Sequence, residues 1–169
     1  MASAELEPAT PNDWREFGKW RERFALEYAQ TDNRSFEHTI NPYMPPEVLK
    51  ERFQNIGKTH KVFWITRGAK RIGFFTVLYI EFEDGNMWVI EDVYVLPKWR
   101  SKGIATRLRK ELYQTGVGGS YVSTDRLSKL VEYYKSQGCR SAAYIPQHQL
   151  AIVSTREPDN EHWYKLKES

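Results

Sequence analysis

The chain has 169 residues, 40% of them hydrophobic and 28% charged, with 25 Lys and Arg against 22 Asp and Glu for a net charge of +3. This composition fits one folded domain over residues 1–169 and excludes a disordered or fibrous chain. The single cysteine, Cys139, rules out an intrachain disulfide or a Cys-rich zinc site, and four scattered histidines lack ligand spacing, so no metal is expected. No apolar run is long enough for a membrane span and no signal-peptide pattern opens the chain, so the expected location is cytoplasmic.

Residues 4–10 read as a first strand, at a sheet edge because Pro8 cannot donate to a central ladder. Asn12 or Asp13 offers an N-cap, and Trp14, Phe17, Trp20, Phe24 and Tyr28 recur at helical spacing as far as about Gln30. A polar connection leads to Pro46, well placed to open a second helix whose apolar face is Val48, Leu49, Phe53 and Ile56 and whose stop is Gly57. Residues 61–67, 72–82 and 88–96 are rich in β-branched and aromatic side chains, and turns at 68–71 and 83–86 make them an antiparallel meander. Pro97 stops the third strand. Ile104, Leu108 and Leu112 then predict a helix over 103–114. After a flexible connection at 115–119 come a short strand at 121–124 and a helix carrying Leu127, Leu130, Val131 and Tyr134, closed by Gly138. A strand at 141–145, a polar connection containing the apolar piece 150–153 and a final strand at 163–166 complete the chain. The order is βααβββαβαββ, an α/β fold in which helices cover both faces of a mixed sheet.

The organising stretch is the third strand, its loop and the following helix. Arg100, Ser101, Lys102, Gly103, Ile104 and Ala105 join strand to helix. Gly103 and Ala105 let a ligand approach the backbone closely. The first helical N–H groups have no internal partner and sit at the positive end of the helix dipole, which makes a phosphate site. Neither a Walker loop nor a Rossmann fingerprint is present. The pattern V-x-x-x-x-R-x-x-G-x-A between strand and amphipathic helix resembles the pyrophosphate loop of the GNAT superfamily of acetyl-CoA-dependent N-acetyltransferases. The element order resembles theirs over nearly the whole chain. The resemblance implies a mostly antiparallel central sheet flanked by helices and acetyl-CoA as donor. Its pantetheine arm would pair with the backbone of Val93, Tyr94 and Val95. Its pyrophosphate would sit on Arg100 to Ala105, with Thr106 near.

Acyl transfer to an amine needs a base for the ammonium and an acid for the departing thiolate. The run I-E-D-V-Y-V-L-P-x-W-R-x-K-G-I-A resembles the polyamine and diamine acetyltransferases, which implies that Glu91 is the base or holds a water, and that Asp92 binds the amine. Strand alternation puts Glu91 on the face of Val93 and Val95, and Asp92 on the other face with Tyr94. The spacing Y-x-x-x-G at Tyr134 and Gly138 resembles the family's acid. Adjacent Tyr133 points about 100° away on a helix, so only one of the two is expected to face the cofactor, and the spacing to Gly138 selects Tyr134. Tyr43 and Met44 either line the acceptor pocket or pack under their loop. Two positions depart from the family. Leu127 stands where many relatives carry a cofactor-contacting asparagine, and Cys139 replaces a usual aromatic. The expected partner is an amine, a small polyamine-like or lysine-like acceptor or a protein amino group, and Glu81, Glu83 and Asp84 would add to its attraction. A homodimer through Trp99 and the last strand fits as well. From another class, a GNAT-fold module could bind coenzyme A or nucleic acid without turnover; the mild net charge does not favour nucleic acid.

Overall fold

The computed structural model of the chain describes residues 3–29 and 44–167. Among these residues, eight strands form one sheet in the order β1-β2-β3-β4-β5-β7-β6-β8. They are β1 (Ala4–Pro8), β2 (His60–Arg67), β3 (Lys70–Ile80), β4 (Met87–Val95), β5 (Val117–Ser123), β6 (Ser141–Ile145), β7 (Leu150–Ser154) and β8 (Tyr164–Lys165). The helices are α1 (Trp14–Ala29), α2 (Pro46–Gln54), α3 (Ile104–Gln114), α4 (Thr124–Lys129) and α5 (Val131–Ser136). All pairings are antiparallel except β4 with β5. β1 is an edge strand, as Pro8 requires, and Pro46 occupies the first turn of α2.

Three expectations are corrected. The apolar piece 150–153 is a full strand, β7, wedged between β5 and β6. All five of its side chains are buried, so it lacks the alternation that marks a half-exposed strand. The glycine-rich connection at 115–119 instead starts β5. A Cβ on Gly119 would collide with the Val153 carbonyl oxygen, so glycine there allows a close approach between strands. The helix expected through Tyr134 is two short helices broken at Leu130, whose φ of −121° is not helical.

The sheet separates distinct layers. On one face, Ile65, Ile72, Phe75, Val77, Ile90 and Val95 pack against Leu108 and Leu112 of α3. Leu108 is fully buried, and its truncation to alanine would cost about 2–5 kcal/mol. On the other face, Val62, Trp64, Phe74 and Tyr94 meet Phe17 and Phe24 of α1 and Leu49 and Phe53 of α2. The aromatic stripe on α1 is therefore core, with Phe17, Phe24 and Trp20 edge-on to rings of the sheet. Asp13 anchors the start of α1. It accepts from the Thr10 N–H at 2.9 Å and Trp64 Nε1 at 3.1 Å, and pairs with Arg71 at 3.2 Å.

Candidate active site

β4 and β5 stay together for only three rungs, at Trp88, Val89 and Ile90. Beyond Ile90, β5 continues with β7 and β4 continues with β3, so the two strands diverge. The parallel pair leaves one edge of residues 91–95 open. Backbone direction there follows from the β3 side. The Leu96 N–H donates to the Ile72 carbonyl at 2.9 Å, and the Tyr94 carbonyl faces Gly73 so closely that a Cβ would collide with it. By strand alternation the N–H and C=O groups of Val93 and Val95 point the other way, into the opening. The Val95 carbonyl meets Arg100 Nε there at 2.7 Å.

A cleft of about 310 Å³ fills this opening. Glu91, Val93, Val95, Ala105, Tyr121 and Tyr134 are among the residues that line it. At its mouth the loop turns sharply into α3. Ser101 and Gly103 have φ of 61° and 76°, and the Arg107 N–H closes the first helical turn on the Gly103 carbonyl at 3.0 Å. The N–H groups of Ile104, Ala105 and Thr106 therefore precede the helical ladder. Space is open around Gly103, so its left-handed φ is what calls for glycine. Lys102 and Ser101 are exposed on the loop. Arg100 turns inward and binds Glu27 of α1 at 2.5 Å, which holds the Glu27 carboxyl below its ordinary range. A diphosphate fits the ladder-free N–H groups and the open space at this turn. An extended chain with amide groups fits the free edge of β4.

The carboxylates sit at a β-bulge. Thr76 pairs with Asp92, but Val77 pairs with Ile90, so Glu91 is the extra residue. Ile90 and Val93, three apart, consequently pack on the same α3 side of the sheet. The bulge rather than plain alternation thus sets the direction of Glu91, which lines the cleft with Val93 and Val95 and hydrogen-bonds Asp92. Asp92 lies on the α1 face, as alternation from Tyr94 expects. Its N–H donates to Thr76 Oγ1 at 3.0 Å. Burial and the neighbouring Glu91 carboxylate raise the Asp92 carboxyl well above its ordinary value, against the opposing charge of Arg21 on α1. A second, smaller cavity of about 40 Å³ reaches the same pair from the α1–α2 side, between Arg21, Met44, His60, Glu91 and Asp92.

Both tyrosines of α5 line the cleft, against the expectation that only one faces it. They do different things there. The Tyr133 hydroxyl is taken up by Thr106 Oγ1 at 2.9 Å and by Gln137 Nε2 at 3.3 Å. Tyr134 is 3% exposed. Burial raises its phenol above the ordinary value, partly offset by Arg109 and Arg126. The phenol therefore keeps its proton at neutral pH.

Other sequence candidates lie apart. The Tyr94 ring stacks on Phe74 in the core, and its backbone faces β3, so only its neighbours present groups to the opening. Leu127 and Cys139 are buried core residues. Asp84 is paired with Arg156 at 3.1 Å and Glu83 with His162 at 3.7 Å, away from the cleft. Trp99 packs on its own chain beneath the Arg67 guanidinium, 4.5 Å from the ring centroid. Tyr43 lies outside the described residues. No group of three or more potential metal ligands occurs among the described residues. Sequence reading missed Arg109, Arg126 and Tyr121. The signal for Arg109 was its place four residues from both Ala105 and Tyr113, on the inward stripe of α3.

A splayed parallel strand pair, a free strand edge and a basic strand-to-helix turn define an acyl-coenzyme A transferase fold. Residues 25–152 match the family described as the acetyltransferase (GNAT) family. The chain belongs to this family, the acetyl-CoA-dependent N-acetyltransferases. No curated protein matches its sequence. Among solved structures it is similar to an acetyltransferase from Thermus thermophilus, with 12% identity, TM-score 0.60 and coverage of 91% of this chain and 97% of that one. It is also similar to a GNAT acetyltransferase from Streptococcus pneumoniae, with 14% identity, TM-score 0.59 and coverage of 89% and 96%. A third is an aminoglycoside acetyltransferase from an uncultured soil metagenomic sample in complex with sisomicin, with 17% identity, TM-score 0.55 and coverage of 79% and 86%. At these identities the likeness is one of fold. No helix among the described residues is long and apolar enough to cross a membrane.

Proposed function

We propose that the protein transfers the acetyl group of acetyl-CoA directly to a primary amine, with Glu91 as base and Tyr134 as acid. The observation that carries this reading is one cleft lined by a bulge carboxylate on one wall and a buried, protonated phenol on the other, between strands that diverge. Val93 and Val95 would hold the pantetheine amides along the open edge. The backbone of Ser101 to Thr106 would hold the pyrophosphate, with Lys102 adding charge. Arg100 serves differently, fixing the loop to α1 through Glu27.

The incoming amine is an ammonium ion at neutral pH, and the Glu91–Asp92 pair attracts it. Asp92 keeps its own proton to higher pH, so the pair carries less than its full negative charge and Glu91 is left to accept the ammonium proton, directly or through water. The free amine attacks the thioester carbon, the C–S bond breaks, and Tyr134 gives its proton to sulfur. A cationic acceptor of polyamine or lysine-like type suits the acidic pair. Titration with acetyl-CoA beside free coenzyme A in a salt series, followed by thiol release against a panel of polyamines and lysine peptides, tests the reading. Saturable binding that survives moderate salt, with amine-dependent thiol release, is expected. Binding without release by any amine would overturn turnover, and loss of binding at moderate salt would overturn the cradle in favour of a nucleic-acid surface.

A further inference from the structure

Arg109 is an unusual residue for the inward stripe of a helix. It lines the cleft one turn beyond Ala105, and its Nε is buried with no hydrogen-bond partner among the described residues. Its guanidinium carbon lies 5.9 Å from the centroid of the Tyr134 ring. Its charge also acts on the Tyr113 hydroxyl and the Cys139 thiol. Neither is acidic enough to be its counter-ion at neutral pH. A buried guanidinium N–H left without an acceptor is costly, and a half-buried cation turned toward a cleft is placed to act on charge that develops there.

We infer that Arg109 is a positioning residue of the transfer reaction, acting through Tyr134 by stabilising the phenolate left when that side chain protonates the departing sulfur. The inference rests on the reading of Tyr134 as the acid. Burial raises the Tyr134 phenol above its ordinary value, so giving its proton to the departing thiolate is made harder. A fixed cation beside the ring opposes this rise. In the step itself the C–S electron pair stays on sulfur, the phenol proton moves to it, and the phenolate is later reprotonated through solvent by the proton that left the amine. The other charged or titratable groups facing Tyr134 are Arg126 from α4, Tyr133 from α5 and Cys139. Arg126 supplies a second, weaker influence of the same sign.

Arg109→Met and Arg109→Lys, each in the native and the Tyr134→Phe background, test this by thiol release and by ultraviolet titration of the phenol, taken as the difference from Tyr134→Phe. Arg109→Met is expected to lower kcat at least about 10-fold with KM for acetyl-CoA within about threefold, and Arg109→Lys to recover most of the loss. In the Tyr134→Phe background the same change should be worth less than about twofold, because the two side chains act as a unit. The Tyr134 titration should move to higher pH in Arg109→Met and return with lysine. Equal losses in both backgrounds, a loss confined to KM, or an unmoved titration would overturn the inference. Arg109→Gln, of closer shape and also neutral, serves if the methionine variant fails to fold. Should no amine accept acetyl, the proposed transfer fails, whereas the titration still decides the coupling of Arg109 to Tyr134.

Discussion

Asp13 and Asp92 are both carboxylates between α1 and the sheet, and their surroundings are opposites. Burial pushes Asp13 up, but bonds from the Thr10 N–H, the Trp64 indole and the Arg71 guanidinium outweigh it and hold the carboxyl below its ordinary value. Asp92 meets a like-charged neighbour, Glu91, on a bulge, and its carboxyl is held well above the ordinary value. One site is saturated with donors and fastens α1 to β2 and β3. The other is undersupplied, and its carboxyl keeps a proton to higher pH than an ordinary carboxylate. The difference separates a residue that holds the fold from one whose surroundings cost the fold stability, as the proposed reaction would require.

The sharpest break of this contrast is a pair of substitutions. Asp92→Asn is expected to lower amine-dependent transfer about 10²-fold or more while the urea midpoint stays level or rises, and Asp13→Asn to leave kcat within about twofold while costing about 2 kcal/mol of stability. Steady-state rates and urea melts on both variants decide it; the reverse pattern would erase the distinction. Tyr134→Phe, on the opposite wall, should lower kcat about 10- to 100-fold with little change in KM for acetyl-CoA, measured by thiol release.

The pH dependence sharpens the contrast further. For Asp92 the folded value is raised, so its contribution to stability is lost as pH rises through that value. For Asp13 and Glu27 the folded values are depressed, so their stabilisation is complete above the ordinary carboxylate range and disappears as pH falls through the folded values. Because Asp92 and Glu91 share the bulge, the acid limb of the rate profile should move down in Asp92→Asn, as followed by kcat/KM from pH 5 to 9. Urea midpoints compared at pH 7 and pH 3 should drop steeply in the native protein and less so in Asp13→Asn. The smallest effect is expected from Thr76→Val, which removes the hydroxyl that accepts the Asp92 N–H and hydrogen-bonds its carboxyl. It should cost about 1 kcal/mol and shift the same limb slightly upward.

The elements most legible in the sequence were those with a local cause. Pro8 marked an edge, Pro46 a helix start, and Gly103 before Ile104 a strand-to-helix turn, because each depends on its own backbone chemistry. β7 was illegible as a strand because a central strand buried on both faces has no period of two. The bulge at Glu91 was also hidden, since it is a mismatch of register between β3 and β4 and neither strand contains it alone. Tyr134 could be located by its spacing to Gly138, yet its setting depends on Arg109, from an element 25 residues away in sequence. Pairwise placement of this kind is a property of tertiary packing.

The three rungs between β4 and β5 carry one last implication. They are the seam between two half-sheets, β1 to β4 and β5 to β8, and past Ile90 no further rung joins the halves among the described residues. A donor lying against Val93 and Val95 would serve as the missing strand. Its binding energy would then be mechanical as well as catalytic, clasping the halves and raising the resistance of the whole chain to unfolding in proportion to its occupancy. Amide hydrogens along the seam would then exchange more slowly with the donor in place than without it.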